Sequence, residues 1–155
     1  VARLTISRPL DVRLLEKGMS IGEGLAAFDA AYSQAGASTS FIGKVRPDGG
    51  VEALELSHYE PLTLAGMQAL AETIAERFVL DGLLMWHRVG VMTPGQPIVL
   101  VAAAAPHRRA AFDAADCAMD HLKSAAWFWK RERREDGWHW IEPRSDDYRD
   151  LERWK

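Results

Sequence analysis

The stretch Pro97 to Ala105 is apolar at every position. A strand with one face in water alternates apolar and polar side chains, so an unbroken apolar strand must be covered on both faces. This predicts a central strand in a sheet with packed structure on each side. The run from Ile98 to Pro106 is the longest apolar segment of the chain, and it is far too short for a bilayer, which needs about 20 apolar residues. Residues 1–20 carry charges throughout and contain no apolar core segment, so no signal peptide is read and a cytoplasmic protein without a membrane segment is expected.

The rest of the chain arranges itself around that strand. Leu83 to Met92 reads as its partner, joined to it through the turn Thr93-Pro94-Gly95-Gln96. Ala37–Val45 and Val51–Tyr59 flank Arg46-Pro47-Asp48-Gly49-Gly50 and predict a β-hairpin, because Pro and Gly supply the turn dihedrals. Val1–Ser7 is a weak edge-strand candidate and Asp11–Lys17 a short helix. Ser20 and Glu23 have capping-box spacing ahead of a segment, Gly24–Ser33, that is small and apolar on one face. Pro61 opens a second helix with the stripe Leu64, Met67, Ala71, Ile74 and Phe78, ended by Asp81-Gly82. His107–Ala126 is the strongest helix, with the stripe Phe112, Ala115, Met119, Leu122 and Ala126. Trp127–Arg134 and Trp138–Ile141 read as two short strands about Asp136-Gly137. The charged tail, Glu142–Lys155, reads as partly helical. The order predicts an α+β chain with a mostly antiparallel sheet, in a single domain spanning residues 1–155.

Composition narrows the function. With 48% apolar and 26% charged residues, a chain of this length buries roughly 70% of its unfolded surface and needs no staple. A net charge of −3 and a pI near 6.0 argue against nucleic-acid binding. The single cysteine, Cys117, sits among alanines and reads as a packed thiol. The histidines do not fall at zinc-ligand spacing, so no metal is expected. The chain has no P-loop, dinucleotide fingerprint or nucleophile elbow.

What remains is basic. Lys123 flanks the buried stripe of the strongest helix, and Lys130 would lie about 10 Å further on if that helix continued. A lysine hemmed by Met119, Trp127, Phe128 and Trp129 loses hydration, which lowers its pKa and frees a neutral amine for acid–base or nucleophilic work. The competing reading is a pair of ordinary snorkelling lysines. His107-Arg108-Arg109 opens the same helix, where backbone N–H groups attract anions. Arg46 in the turn and Arg144 in the tail are further anion-binding candidates. Trp127, Trp129, Trp138 and Trp140 could stack a planar ligand or simply pack.

Six blocks in order carry a resemblance. Phe41-Ile42-Gly43-Lys44-Val45-Arg46, His58-Tyr59-Glu60-Pro61, His87-Arg88-Val89-Gly90, Ala105-Pro106-His107-Arg108, Met119-Asp120-His121-Leu122-Lys123 and Phe128-Trp129-Lys130-Arg131-Glu132 resemble the successive signatures of the molybdopterin synthase catalytic (large) subunit family. The likeness runs from about residue 35 to about residue 145. It implies an α/β-hammerhead fold with an additional mostly antiparallel β-sheet. It implies a homodimer in which each copy holds a small ubiquitin-like sulfur-carrier subunit whose Gly-Gly terminus bears a thiocarboxylate, making a heterotetramer. The implied substrate is cyclic pyranopterin monophosphate and the product the molybdopterin dithiolene, with no cofactor beyond the sulfur carried by the partner. Lys123 and Lys130 match the family's catalytic lysines. Arg46, His107, Arg108, Arg144, Phe41 and Met119 match its substrate-binding positions, some contributed by the neighbouring protomer. Two other functions stay open on the residues alone: a non-catalytic docking module for a Gly-Gly tail, and an unrelated enzyme of a phosphorylated metabolite using His107-Arg108.

Overall fold

The computed structural model describes residues 9–125 and 127–155. The expected strand Val1–Ser7 and the Ala126 position of the helical stripe lie outside the described residues. In chain order the elements are β1 (Leu10–Leu15), α1 (Ile21–Ala31), β2 (Ala37–Lys44), β3 (Ala53–His58), α2 (Leu62–Arg77), β4 (Gly82–Arg88), β5 (Gly90–Met92), β6 (Pro97–Ala105), α3 (Arg108–Ser124), β7 (Phe128–Arg134), β8 (Gly137–Ile141) and α4 (Ser145–Leu151). Two four-stranded sheets form, one in the order β1-β4-β6-β2 and one in the order β5-β3-β7-β8. Among the described residues, every strand pair is antiparallel except β1 with β4.

The apolar strand β6 is central in the first sheet, as its composition demands. Val99, Val101, Ala103 and Ala105 face α2 and α3, in one cluster with Met67, Ile74, Met119 and Leu122. Leu100, Ala102 and Ala104 face α1, in a second cluster with Phe28 and Trp86. The alanines let helices approach closely on both sides. Gly24 of α1 lies so near the Trp86 ring that a Cβ there would come within 2.6 Å of it.

Several expectations are corrected. Asp11–Lys17 is not a helix, since Leu10–Leu15 is an edge strand parallel to β4. Its alternation carries the reason: Leu10, Val12 and Leu14 face the α2/α3 core while Leu15 packs with the α1 cluster. The expected hairpin does not form. β2 pairs with β6 along its whole length, whereas β3 pairs with β5 and β7 in the other sheet. The turn there, with Gly49 and Gly50 at φ 66° and 76°, carries the chain from one sheet to the other, and turn chemistry marks a reversal without naming the partner strand. Leu83–Met92 is likewise two strands, broken at Val89, and Gly90, with a φ of 91°, opens the strand of the second sheet. Ser20 caps α1 by position, but its side chain makes no capping bond. Pro61 stands just before α2 rather than inside its first turn. Leu64 and Phe112, expected in buried stripes, are 38% and 53% exposed. Thr63 and Leu70 fill the α2 face instead, and a run of alanines fills that of α3.

Candidate active site

The site lies at the seam of the two sheets. α3 lays Ala111, Ala114, Ala115, Ala118, Met119 and Leu122 onto the core. Its last turn thereby delivers Lys123 to the sheet junction, where a cation also suits the helix dipole. The chain then leaves the helix instead of extending it. Thr63 anchors that exit: its Oγ1 donates to the Trp127 carbonyl at 3.0 Å and accepts the Tyr59 N–H at 3.1 Å. Trp127 covers Gly66, where a Cβ would come within 2.4 Å of the indole. Phe128 bridges the α2/α3 core and the small cluster of Val45, Leu54, Leu56 and Met92. Two residues on, Lys130 sits on β7 between Leu56 and Ile141. The lysines are therefore joined by a helix-to-strand corner, not by two turns of one helix.

Lys123 and Lys130 share an inner chamber of about 80 Å³ with Lys44, His87, Met119, Leu122 and Phe128. Its walls continue into an outer cleft of about 700 Å³ lined by Phe41, Arg46, Arg134, Arg144, Glu132 and Asp147. Two of the outer acids are engaged: Glu132 with Arg134 at 2.8 Å, and Asp147 with Arg144 at 3.8 Å and with the Arg144 N–H at 3.1 Å. Among the described residues, Lys44, Arg46, Lys123 and Lys130 have no ion-pair partner. An anion-seeking cleft on a chain of net charge −3 is thus a local arrangement.

Burial, and next the charge of Lys123, hold the Lys130 amine down from 10.5 to about 8, with Asp147 opposing. At pH 7 roughly one Lys130 in ten is then neutral, against about one in three thousand for an ordinary lysine. Of the two lysines, Lys130 is the one that is half-buried and desolvated, and Lys123 is exposed.

His87 was missed as a site residue. Its ring stacks on Phe128, centroids 4.0 Å apart and planes 16° from parallel, and its Nδ1 bonds the Arg88 carbonyl at 2.8 Å. Burial first, and the nearby lysine charges further, push its pKa to about 4 despite that carbonyl. The available signal was parity: His87 shares the inward face of β4 with Leu83 and Met85. Lys44, at the end of β2, was named only as part of a block.

His107 and Arg108 stand at the other end of α3, exposed. Along the helix they lie roughly 22–24 Å from Lys123, so one chain does not bring them to the lysines. Nor does any of the four tryptophans line the cleft. Trp129 meets Tyr59 edge-on, and Trp138 and Trp140 flank Arg131. Cys117 is buried, its thiol pushed up to about 11 chiefly by burial. Among the described residues no group of three or more His, Cys, Asp or Glu could hold a metal, and no helix is long and apolar enough to cross a membrane.

The profile of the family described as "MoaE protein" matches residues 15–125. The molybdopterin synthase catalytic subunit of Caulobacter vibrioides is 44% identical over 144 residues, 92% of this chain and 96% of that protein. The chain belongs to the molybdopterin synthase catalytic-subunit family. The family's catalytic subunit from Mesorhizobium japonicum is 42% identical over 93% of this chain and 92% of its own length. Among solved structures, the MoaE protein of Burkholderia ambifaria superposes with a TM-score of 0.79 at 35% identity, covering 94% of this chain and 97% of that one. Molybdopterin synthase from Staphylococcus aureus gives a TM-score of 0.71 at 26% identity, over 83% of this chain and 94% of that one. The α+β architecture with two mostly antiparallel sheets is that of the family.

Proposed function

We propose that this catalytic subunit, a single domain over its length, transfers sulfur from the thiocarboxylated Gly-Gly terminus of a small ubiquitin-like subunit to cyclic pyranopterin monophosphate, forming the molybdopterin dithiolene. The observation that carries this is the convergence of Lys123 and Lys130 on one chamber opening into a cationic cleft. Donor and acceptor are both anionic and repel until cations gather them, and unlike charges about 4 Å apart near a protein surface attract by roughly 4 kcal/mol. Arg46 and Arg144 take the phosphate and pterin, with Phe41 and Met119 as apolar walls. Lys123, exposed at the helix end, receives the carrier's terminus. Lys130, partly neutral at pH 7, moves protons as sulfur adds and oxygen leaves.

His107 and Arg108 join the site from a second copy of the chain. Their distance from Lys123 along α3 supports this reading, and the working unit is then a homodimer with a small subunit on each copy, a heterotetramer. The compartment is the cytoplasm, where a lone thiol such as Cys117 stays reduced. No cofactor is assigned, because the transferred sulfur arrives on the partner.

Mixing the purified chain with thiocarboxylated small subunit and precursor tests the reading. Dithiolene product should form only when all three are present. Turnover without the small subunit would indicate an enzyme of a phosphorylated metabolite instead. A stable complex that never yields product would indicate a docking module.

A further inference from the structure

The inner chamber is one-sided in its hydrogen bonding. Its polar side chains are Lys44, Lys123, Lys130 and His87. An ammonium group offers three donors and no acceptor. Among the described residues, His87 is therefore the one lining side chain with a nitrogen or oxygen acceptor to give.

Two contacts and its burial fix what it gives. A carbonyl can only accept, so the 2.8 Å contact with Arg88 O places the ring proton on Nδ1. Nε2 is then a bare lone pair. The stack on Phe128 sets the plane of the ring, and 8% exposure seals it from bulk water. The charged side chains that line the chamber with it are all cationic: Lys130 from β7, Lys123 from α3 and Lys44 from β2, and the first two act on its charge. Arg88 lies on the opposite face of β4. Asp147 and Arg46 act on Lys130 from the outer cleft, and among the described residues no acid lines the chamber to favour an imidazolium.

We propose that His87 is a positioning residue of the lysine pair, its Nε2 the fixed acceptor toward which the Lys130 and Lys123 ammonium groups orient through one water. A chamber of about 80 Å³ has room for such a water. The acceptor stabilises the protonated amine and aims it, so that the proton given up during transfer leaves from one defined place. The consequence for turnover rests on the sulfur-transfer reading; the acceptor itself does not.

Two substitutions separate an acceptor from a space-filler. His87→Phe keeps a ring to stack on Phe128 and removes the lone pair. His87→Gln keeps an acceptor and removes the ring. On the full wild-type chain, nitrogen NMR of the imidazole should show a neutral Nδ1–H tautomer from pH 5.5 to 8.5. In His87→Phe the Lys130 amine should titrate lower by roughly half to one pH unit, while His87→Gln stays near wild type. With thiocarboxylated small subunit and precursor, His87→Phe should lose about tenfold in kcat with KM nearly unchanged, and His87→Gln should recover most of it. An Nε2–H tautomer or an imidazolium in that pH range overturns the proposal, and so does a His87→Phe protein whose Lys130 titration and pH–rate profile match wild type. The tautomer is read on the unmodified chain, so it decides even where His87→Phe does not fold. If both NMR results hold but wild type makes no dithiolene, the sulfur-transfer reading fails and the acceptor stands.

Discussion

Removing the Lys123 charge should raise the pKa of Lys130. The gap between 10.5 and about 8 corresponds to roughly 3 kcal/mol against the protonated form. Burial is the first cause and Lys123 the second, so Lys123 accounts for less than half, on the order of 1 kcal/mol. Lys123→Met keeps the aliphatic stem and removes the charge. Lys130 should then titrate near 9 rather than near 8, read from the chemical shift of its ε-methylene in a selectively labelled sample. The same coupling acts on stability. The unfolded chain holds the Lys130 proton up to about pH 10.5 and the folded chain only to about 8, so stability rises with pH between those values. Below pH 8 the cost of the buried charge is fully present. Lys130→Met should therefore stabilise the fold at pH 7, by about 1–2 kcal/mol once partial solvent screening is allowed for, and by much less at pH 10.5. A wild-type Lys130 titrating at 10.5, or one indifferent to Lys123→Met, would refute this reasoning.

Other expectations follow from the same geometry. If His107 and Arg108 complete a partner's site, inactive Lys123→Ala and Arg108→Ala homodimers, mixed and allowed to exchange, should regain about a quarter of wild-type activity, since half the dimers then hold one intact site; no recovery after confirmed exchange would place Arg108 in its own chain's site. Arg46→Ala should raise KM for the precursor by roughly tenfold, with melting temperature unchanged, because the side chain is exposed and has no ion-pair partner among the described residues; calorimetry and steady-state kinetics on one preparation separate the two effects. Gly66→Leu should destabilise by about 1–3 kcal/mol and displace Trp127, visible as a red-shifted fluorescence component; an unshifted denaturation midpoint would contradict the close packing.

Much of the fold was legible because it rests on local pattern. The unbroken apolar run of β6 announced its central place, and the strong periodicity of α3 announced the helix that carries Lys123. What was not legible was non-local. Arg46–Gly50 has good hairpin chemistry, yet β2 and β3 belong to different sheets, since pairing was decided by which strands could cover β6 and which could cover β7. Asp11–Lys17 scores as a helix turn by composition, but its Leu10/Val12/Leu14 alternation wins once β4 offers an edge. The candidate site divides the same way. Lys123, Lys130, Arg46, Phe41 and Met119 were named from sequence blocks and Arg144 from the charged tail, and all come together in one seam. His107 and Arg108 do not join them within one chain. The importance of His87 depends on a ring stack, a carbonyl and three lysines drawn from four separate elements, and no spacing in the sequence encodes that.

The most direct measurement is single-turnover sulfur transfer by Lys123→Ala bound to its thiocarboxylated small subunit and supplied with precursor. The account predicts an assembled complex, intact by sedimentation, that forms no dithiolene within many wild-type half-lives. Dithiolene appearing at the wild-type rate would remove Lys123 from the mechanism and contradict the claim that sulfur transfer in this seam depends on it.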